Sequence, residues 1–262
     1  MSEATAKASA AVERMTDADL AAHLAEVAGR ILVNVRESGL FSPKALGKAG
    51  DQTANQFLCH ALREVRPQDG LLSEEEKDNA DRLAMSRVWI VDPVDGTREY
   101  GEARADWAVH VGLAIDGRPA IGAVALPGLD GGTVLRSDQP VALPPAPEKL
   151  RMVVSRTRPA AEAVAVAQKL GAELVPMGSA GAKAMAVILG QADIYLHSGG
   201  QYEWDSMAPV AVALAHGLHC SRIDGSPLIY NQSDVYLPDL LICRNEHAKH
   251  LLNIIAEVVA VA

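Results

Sequence analysis

Apolar positions first recur at helical spacing at Leu20, Leu24, Val27 and Ile31, behind Thr16 and Asp17, which can cap a helix start. A second helical face runs through Ala54, Leu58, Leu62 and Val65; the expected helix begins near Asp51 and stops at Pro67 and Gly70. After that the period shortens. Leu71-Leu72, Arg87–Val91, Trp107–Ile115, Ala120–Leu126 and Gly131–Leu135 read as strands, with Asp116-Gly117-Arg118-Pro119 as a hairpin turn. Pro140, Pro144, Pro145 and Pro147 mark Asp138–Pro147 as a linker or crossover. Strands then alternate with helices: Met152–Ser155, Glu173–Pro176, Asp193–Leu196 and Leu240–Cys243 against Pro159–Leu170, Ser179–Leu189, Trp204–Ala215 and a closing helix from about Glu246. Both stretches mix helix and sheet, so the pattern predicts an α/β (α+β) layered sandwich. Residues 1–147 and 148–262 form its two halves, joined in one compact unit.

Composition narrows the function. The chain has 262 residues and a net charge of −9, which opposes a basic nucleic-acid surface. Cys59, Cys220 and Cys243 are odd in number and widely spaced, and read as buried small hydrophobes. No secretory signal is visible at the start. The apolar stretches Met207–Leu218 and Leu251–Ala262 are too short to span a bilayer, so the expectation is a cytoplasmic protein with no membrane contact.

The chemistry gathers in three strings. In Trp89-Ile90-Val91-Asp92-Pro93-Val94-Asp95-Gly96-Thr97 an apolar strand runs into two carboxylates three residues apart. Pro93 interrupts the ladder, so the chain is expected to turn there, aim Asp92 and Asp95 at one point and free the Val94 carbonyl. Hard divalent cations take such oxygen ligands, Mg²⁺ together with phosphate oxygens. The amides of Gly96 and Thr97 can face an anion. An ordinary strand-to-turn ending would look much the same. Upstream, Leu71-Leu72-Ser73-Glu74-Glu75-Glu76 again delivers carboxylates from a strand, with Glu75 and Glu76 read as solvated. Downstream, Glu203-Trp204-Asp205-Ser206-Met207-Ala208-Pro209 opens a helix, where Asp205 reads both as a cap and as a ligand.

In order and form, LLSEEE, WIVDPVDGT and WDSMAP resemble the lithium-sensitive, magnesium-dependent phosphomonoesterases of the inositol monophosphatase family. The resemblance runs from about Asp19 to Arg244 and departs at Ser206-Met207-Ala208, where the family more often has two small residues before the proline. It implies an αβαβα sandwich and a site holding two or three Mg²⁺ ions that Li⁺ inhibits. Glu74, Asp92, Asp95, Asp205 and the Val94 carbonyl match the metal ligands. Gly50-Asp51-Gln52-Thr53-Ala54-Asn55 resembles the family's ADxxAN helix start, with Lys48 where a Thr is usual. Asp51 then pairs with Thr97 to hold or deprotonate the attacking water, with Glu74 counted among the catalytic groups. The family often forms homodimers.

Arg98-Glu99-Tyr100 after DGT resembles the KEF of the family's CysQ-type nucleotide phosphatases, as do LSEE and Val154-Ser155-Arg156-Thr157. Arg158 stands where their motif has a His, and an Arg suits a second phosphate. Ser179 and Lys183 resemble their GSxxK with one residue inserted; a helix cap and a solvated lysine are the plain alternatives. The implied substrate is 3′-phosphoadenosine 5′-phosphate, held by Asp95, Gly96, Thr97, Arg98, Ser155, Arg158, Ser179, Lys183 and Asp205. Inositol and fructose phosphates are the alternatives within the family. A phospho-aspartate enzyme of the DxDGT kind fits less well because Asp92 and Asp95 are three apart, and a non-catalytic Mg²⁺ or nucleotide sensor is the third reading. The eight histidines show no metal or triad context; Trp107 reads as core and Tyr202 as a weak nucleotide contact.

Overall fold

The structure is a computed structural model and describes residues 14–260. Two long helices come first, α1 (Asp17–Glu37) and α2 (Pro43–Val65). They cover one face of a five-stranded sheet built from β1 (Gly70–Ser73), β2 (Arg87–Asp95), β3 (Ala108–Ile115), β4 (Arg118–Leu126) and β5 (Thr133–Arg136), in that spatial order. A single turn of helix, α3 (Thr97–Gly101), follows β2. Only β1 and β2 pair in parallel; the rest of this sheet is antiparallel. The second sheet has the order β7-β6-β8-β10-β9 and comprises β6 (Arg151–Ser155), β7 (Glu173–Met177), β8 (Ile194–Tyr202), β9 (Leu218–Ser221) and β10 (Tyr236–Arg244). Between the sheets lie α5 (Ala180–Ile188) and α6 (Glu203–Ala215), while α4 (Ala161–Leu170) and α7 (Asn245–Val259) cover the far face. The layers are αβαβα.

Alternation along single strands feeds three apolar layers. In β2, Trp89 and Val91 face α1 and α2, while Val88 and Ile90 face the central layer with Met185 and Val210. In the second sheet Val153, Tyr195 and Ile242 join that same central layer; Met152, Ile194 and Leu241 pack under α4 and α7. Both faces of each sheet are therefore covered, which is why these strands read as unbroken apolar runs. Cys59 and Cys243 are buried in the outer layers and all three cysteines are free. Among the described residues, no helix is long and apolar enough to cross a membrane.

Two local outcomes differ from the sequence expectation, and a third accounts for a departure the sequence already showed. First, α2 begins at Pro43, two turns before Asp51. Gly47 and Gly50 hide this start because glycine weakens a helix. Their role is close approach: a Cβ at Gly47 would lie 2.7 Å from Thr97 Cγ2, and one at Gly50 2.6 Å from Tyr100 Cε1. Second, β2 does not end at Pro93 but runs to Asp95, with a bulge against β3 between Asp92 and Asp95. Pairing with β1 stops at Val91, so Pro93 loses no hydrogen bond to that neighbour. Third, Met207 occupies a position where the family pattern has a small residue, and Gly112 makes the room. A Cβ on Gly112 would meet Met207 Cε at 2.2 Å.

Candidate metal centre and substrate cleft

The bulge at the end of β2 delivers Asp92 and Asp95, and the first turn of α6 delivers Asp205. One ligand oxygen from each lies within 4.8 Å of the others, a group able to hold a metal ion. Glu74, at the exit of β1, stands exposed at the mouth beside Asp92. Val94 lies inside the bulge; its amide donates to Asp92 Oδ1 at 3.0 Å and its carbonyl accepts from Thr97 Oγ1 at 3.1 Å.

Asp92 is 1 % exposed. Burial, then the charges of Glu74, Asp95 and Asp205, push its pKa well above the carboxylate range. Desolvation of its carboxyl end, though the residue as a whole is exposed, and the charge of Asp205 push Glu74 up to about 8; burial and Asp95 push Asp205 up to about 6. Three carboxyls that resist ionisation beside one another form a site that a divalent cation would stabilise.

Asp95 behaves differently. Burial works against its charge too, but His110, Ser179 and Lys183 outweigh it and hold its pKa down to about 2. Its Oδ1 accepts from Ala180 N–H at 3.0 Å, and its Oδ2 accepts from Ser179 Oγ and Gly181 N–H at the start of α5. His110 Nε2 lies 3.2 Å from the same Oδ2. A carboxylate has about four lone-pair positions, and this set leaves one on Oδ1 for a cation. Ser179 takes a positive φ of 42°, unusual for a residue with a side chain, to make both its bonds.

His110 has no counterpart among the residues expected from sequence. Its Nδ1 is 3.0 Å from the Trp204 carbonyl, which only accepts, so Nδ1 carries a proton. Burial opposes a charge on the ring, but Asp95 beside the other nitrogen outweighs it and raises the pKa. Its signal in sequence was faint but present: Ala108, Gly112 and Ala114 share its face of β3 and all are small.

Thr97 opens α3, and its hydroxyl lies 3.2 Å from Asp51 Oδ1. Burial and Glu75 raise the Asp51 pKa to about 7. The two glycines of α2 bring these groups together. Gly47→Ala is expected to lower kcat roughly 10- to 100-fold with a much smaller effect on melting temperature, because Thr97 escapes the new methyl only by rotating away from Asp51. Steady-state kinetics with a thermal melt on the same sample checks this; a loss of stability with unchanged kcat would contradict it.

The carboxylates form one end of a cleft of about 350 Å³ lined by Asp95, Ser155, Ser179, Lys183, Tyr195 and Asp205, and adjoining a second hollow with Arg98 and Thr97. Arg158 lines both and is exposed; its backbone N–H donates to Ser155 Oγ at 3.3 Å. Lys183 is buried and donates to the Gly178 and Ser179 carbonyls at 2.9 and 2.6 Å. Burial lowers its pKa. Of Arg98-Glu99-Tyr100, Arg98 and Glu99 line the adjoining hollow, and only Arg98 has no side-chain partner among the described residues' hydrogen bonds. Glu99 is tied to Arg156 at 2.8 Å, and the Tyr100 hydroxyl donates to the Leu32 carbonyl at 2.7 Å. His197, Gln201, Tyr202 and Trp204 complete the rim. Tyr202 stacks on Trp204 at 4.9 Å and 13° and keeps 46 % of its surface exposed.

A sequence profile described as the inositol monophosphatase family matches residues 9–260. The chain is 52% identical over 258 residues to a 3′-phosphoadenosine 5′-phosphate phosphatase of Mycobacterium leprae, covering 93% of this chain and 95% of that protein. It is 30% identical over 204 residues to the 3′(2′),5′-bisphosphate nucleotidase CysQ of Escherichia coli, covering 72% and 81%. The crystal structure of CysQ from Bacteroides thetaiotaomicron superposes with a TM-score of 0.72 at 24% identity, covering 86% of this chain and 96% of that one.

Proposed function

The chain belongs to the inositol monophosphatase family, and from that premise we propose that it is a cytoplasmic, Mg²⁺-dependent phosphomonoesterase that removes the 3′-phosphate of 3′-phosphoadenosine 5′-phosphate, giving AMP and phosphate. The observation that carries this reading is a site with two poles. Glu74, Asp95 and Asp205 line one cleft, with Asp92 beside them; Arg98 lines the hollow that adjoins it, and Arg158 and Lys183 line both. A nucleoside bisphosphate has a phosphate for each pole. An inositol monophosphate has one for the first alone. The activity named for the Mycobacterium leprae relative supports the same choice.

The donors suit a hard divalent cation: all are oxygens, most are buried, and they repel one another. Asp92, Asp95, Asp205, Glu74 and the Val94 carbonyl would hold two or three Mg²⁺, with Li⁺ inhibitory. Bound there, Mg²⁺ supplies Lewis acidity to the phosphoryl oxygens and the attacking water. The chain's own groups do the rest. With the Val94 carbonyl engaged, Thr97 gives its hydroxyl proton to Asp51 alone, and Thr97 Oγ1 is left to accept a proton of the water, orienting its lone pair at phosphorus. The Gly96 and Thr97 amides orient the phosphate. Arg98, Arg158 and Lys183, with Ser155 and Ser179, hold the 5′-phosphate side. Tyr202 offers its exposed face to the base, where stacking contributes about 1–3 kcal/mol.

Phosphate release with Mg²⁺, with and without Li⁺, on the adenosine bisphosphate, inositol 1-phosphate and fructose 1,6-bisphosphate tests the reading. The nucleotide is expected to have the highest kcat/KM, and Li⁺ to inhibit. Arg158→Ala is expected to raise KM for the nucleotide about tenfold while sparing inositol phosphate, in line with about 1.5–3 kcal/mol for a hydrogen bond to a charged group. Inositol phosphate as the best substrate would overturn it. The family resemblance also supports a homodimer, which sedimentation of the purified chain tests.

A further inference from the structure

Glu74 and Asp205 come from opposite halves of the chain and repel each other. Something must hold them together before a cation arrives. The structure contains a polar strut between the segments that carry them. Arg82, in the 3₁₀ turn Ala80–Ala84 that follows Glu74, is 2 % exposed. Its guanidinium grips both Asp78 oxygens at 2.7 Å, then reaches across to Asn231 Oδ1 at 2.7 Å and the Gln232 carbonyl at 3.0 Å. Asn231 returns the contact, donating Nδ2–H to the Arg82 carbonyl at 3.0 Å. The backbone N–H groups of Asn231 and Gln232 then donate to the two carboxylate oxygens of Glu203, each at 2.7 Å. Glu203 is also 2 % exposed, and it opens α6 two residues before Asp205.

Burying an arginine and a glutamate in this way costs desolvation that an apolar contact would not, and the return on such networks is fixed geometry. We propose that Arg82, Asn231 and Glu203 are positioning residues. They fix the segment bearing Glu74 against the helix start bearing Asp205 despite the repulsion between the two carboxyls, so that the site is preorganised. None of the three touches the cleft. The strut rests on the cation-binding reading of the carboxylates given above.

Mn²⁺ binding to the substrate-free full chain, read by calorimetry, is the test, with thermal melts and kcat at saturating metal alongside. Arg82→Met and Asn231→Gly are each expected to weaken Mn²⁺ binding about 10- to 100-fold. Turnover at saturating metal should stay within about threefold, because the assembled site is unchanged. Arg82→Lys should recover part of the affinity. Asn231 has a φ of 60°, which glycine adopts freely, so Asn231→Gly keeps the backbone and decides the matter if Arg82→Met fails to fold. Folded variants that bind Mn²⁺ as tightly as the unmodified chain, or lose stability alone, overturn the strut. An unmodified chain that binds no Mn²⁺ overturns the cation site itself.

Discussion

Asp92→Asn is expected to lower phosphate release by about a thousandfold or more and, at the same time, to raise the melting temperature of the metal-free protein. The two effects have one cause. Asp92 sits at the centre of the carboxylate group, 1 % exposed, with Glu74, Asp95 and Asp205 around it. On the proposed reading its charge would hold the cation that supplies Lewis acidity at phosphorus; several kcal/mol of such stabilisation is typical, and about 4 kcal/mol is a thousandfold in rate. Without a cation the same carboxyl must either keep a proton above its unfolded pKa or carry a buried charge among like charges; both cost the folded state, and an amide of equal size does neither. A gain on the order of 1 kcal/mol corresponds to about 2–4 °C for a chain of this size. Phosphate release with Mg²⁺ and a thermal melt in chelator give both readings. Unchanged turnover, or a lower melting temperature in chelator, would contradict the role given to Asp92.

Stability of the metal-free protein is expected to fall as pH rises, the reverse of ordinary acid denaturation. Asp205 is raised to about 6 and Glu74 to about 8, with Asp92 also well above its usual value. Unfolded carboxylates titrate near pH 4. Between about pH 4 and 8 the folded chain therefore binds more protons than the unfolded one, and the stability these groups contribute at low pH is lost through that window. Asp205 accounts for on the order of 3 kcal/mol of this, at about 1.4 kcal/mol for each pKa unit. Asp95 runs the other way, but its pKa near 2 puts its loss below the window. Saturating Mg²⁺ should flatten the curve, with a stabilisation that grows with pH. Melting curves at intervals from about pH 5 to 8, in chelator and in Mg²⁺, measure it. A chelator curve that stays flat or rises across that range would remove the argument that these carboxylates await a cation.

Much of the site was legible because its parts are local. A strand ending in DPVDG and a helix opening in WD are short strings whose backbone consequences follow from nearest neighbours. The bulge at Asp92–Asp95 and the first turn of α6 are those consequences. The start of α2 was misread for the opposite reason. Gly47 and Gly50 lower helix propensity, and their purpose is visible only where Thr97 and Tyr100 press against them. Likewise Glu99 and Arg156 sit next to expected substrate contacts in their motifs, and only the structure shows that they pair with each other.

The sequence by itself determined the mixed α/β class and the chemistry of the carboxylate ends, because hydrophobic period and short-range turn chemistry are properties of adjacent residues; the layer order came with the family resemblance carried by its three motifs. Tertiary structure alone decided which charges share one volume. His110 meets Asp95, Thr97 meets Asp51, and Arg82 meets Asn231 across 149 positions of chain. Electrostatic effects depend on distance and burial, and neither is a function of sequence separation. The same one-letter carboxylate is therefore held easily ionised by helix amides and His110 at Asp95 and pushed far from ionisation by burial and like charges at Asp92.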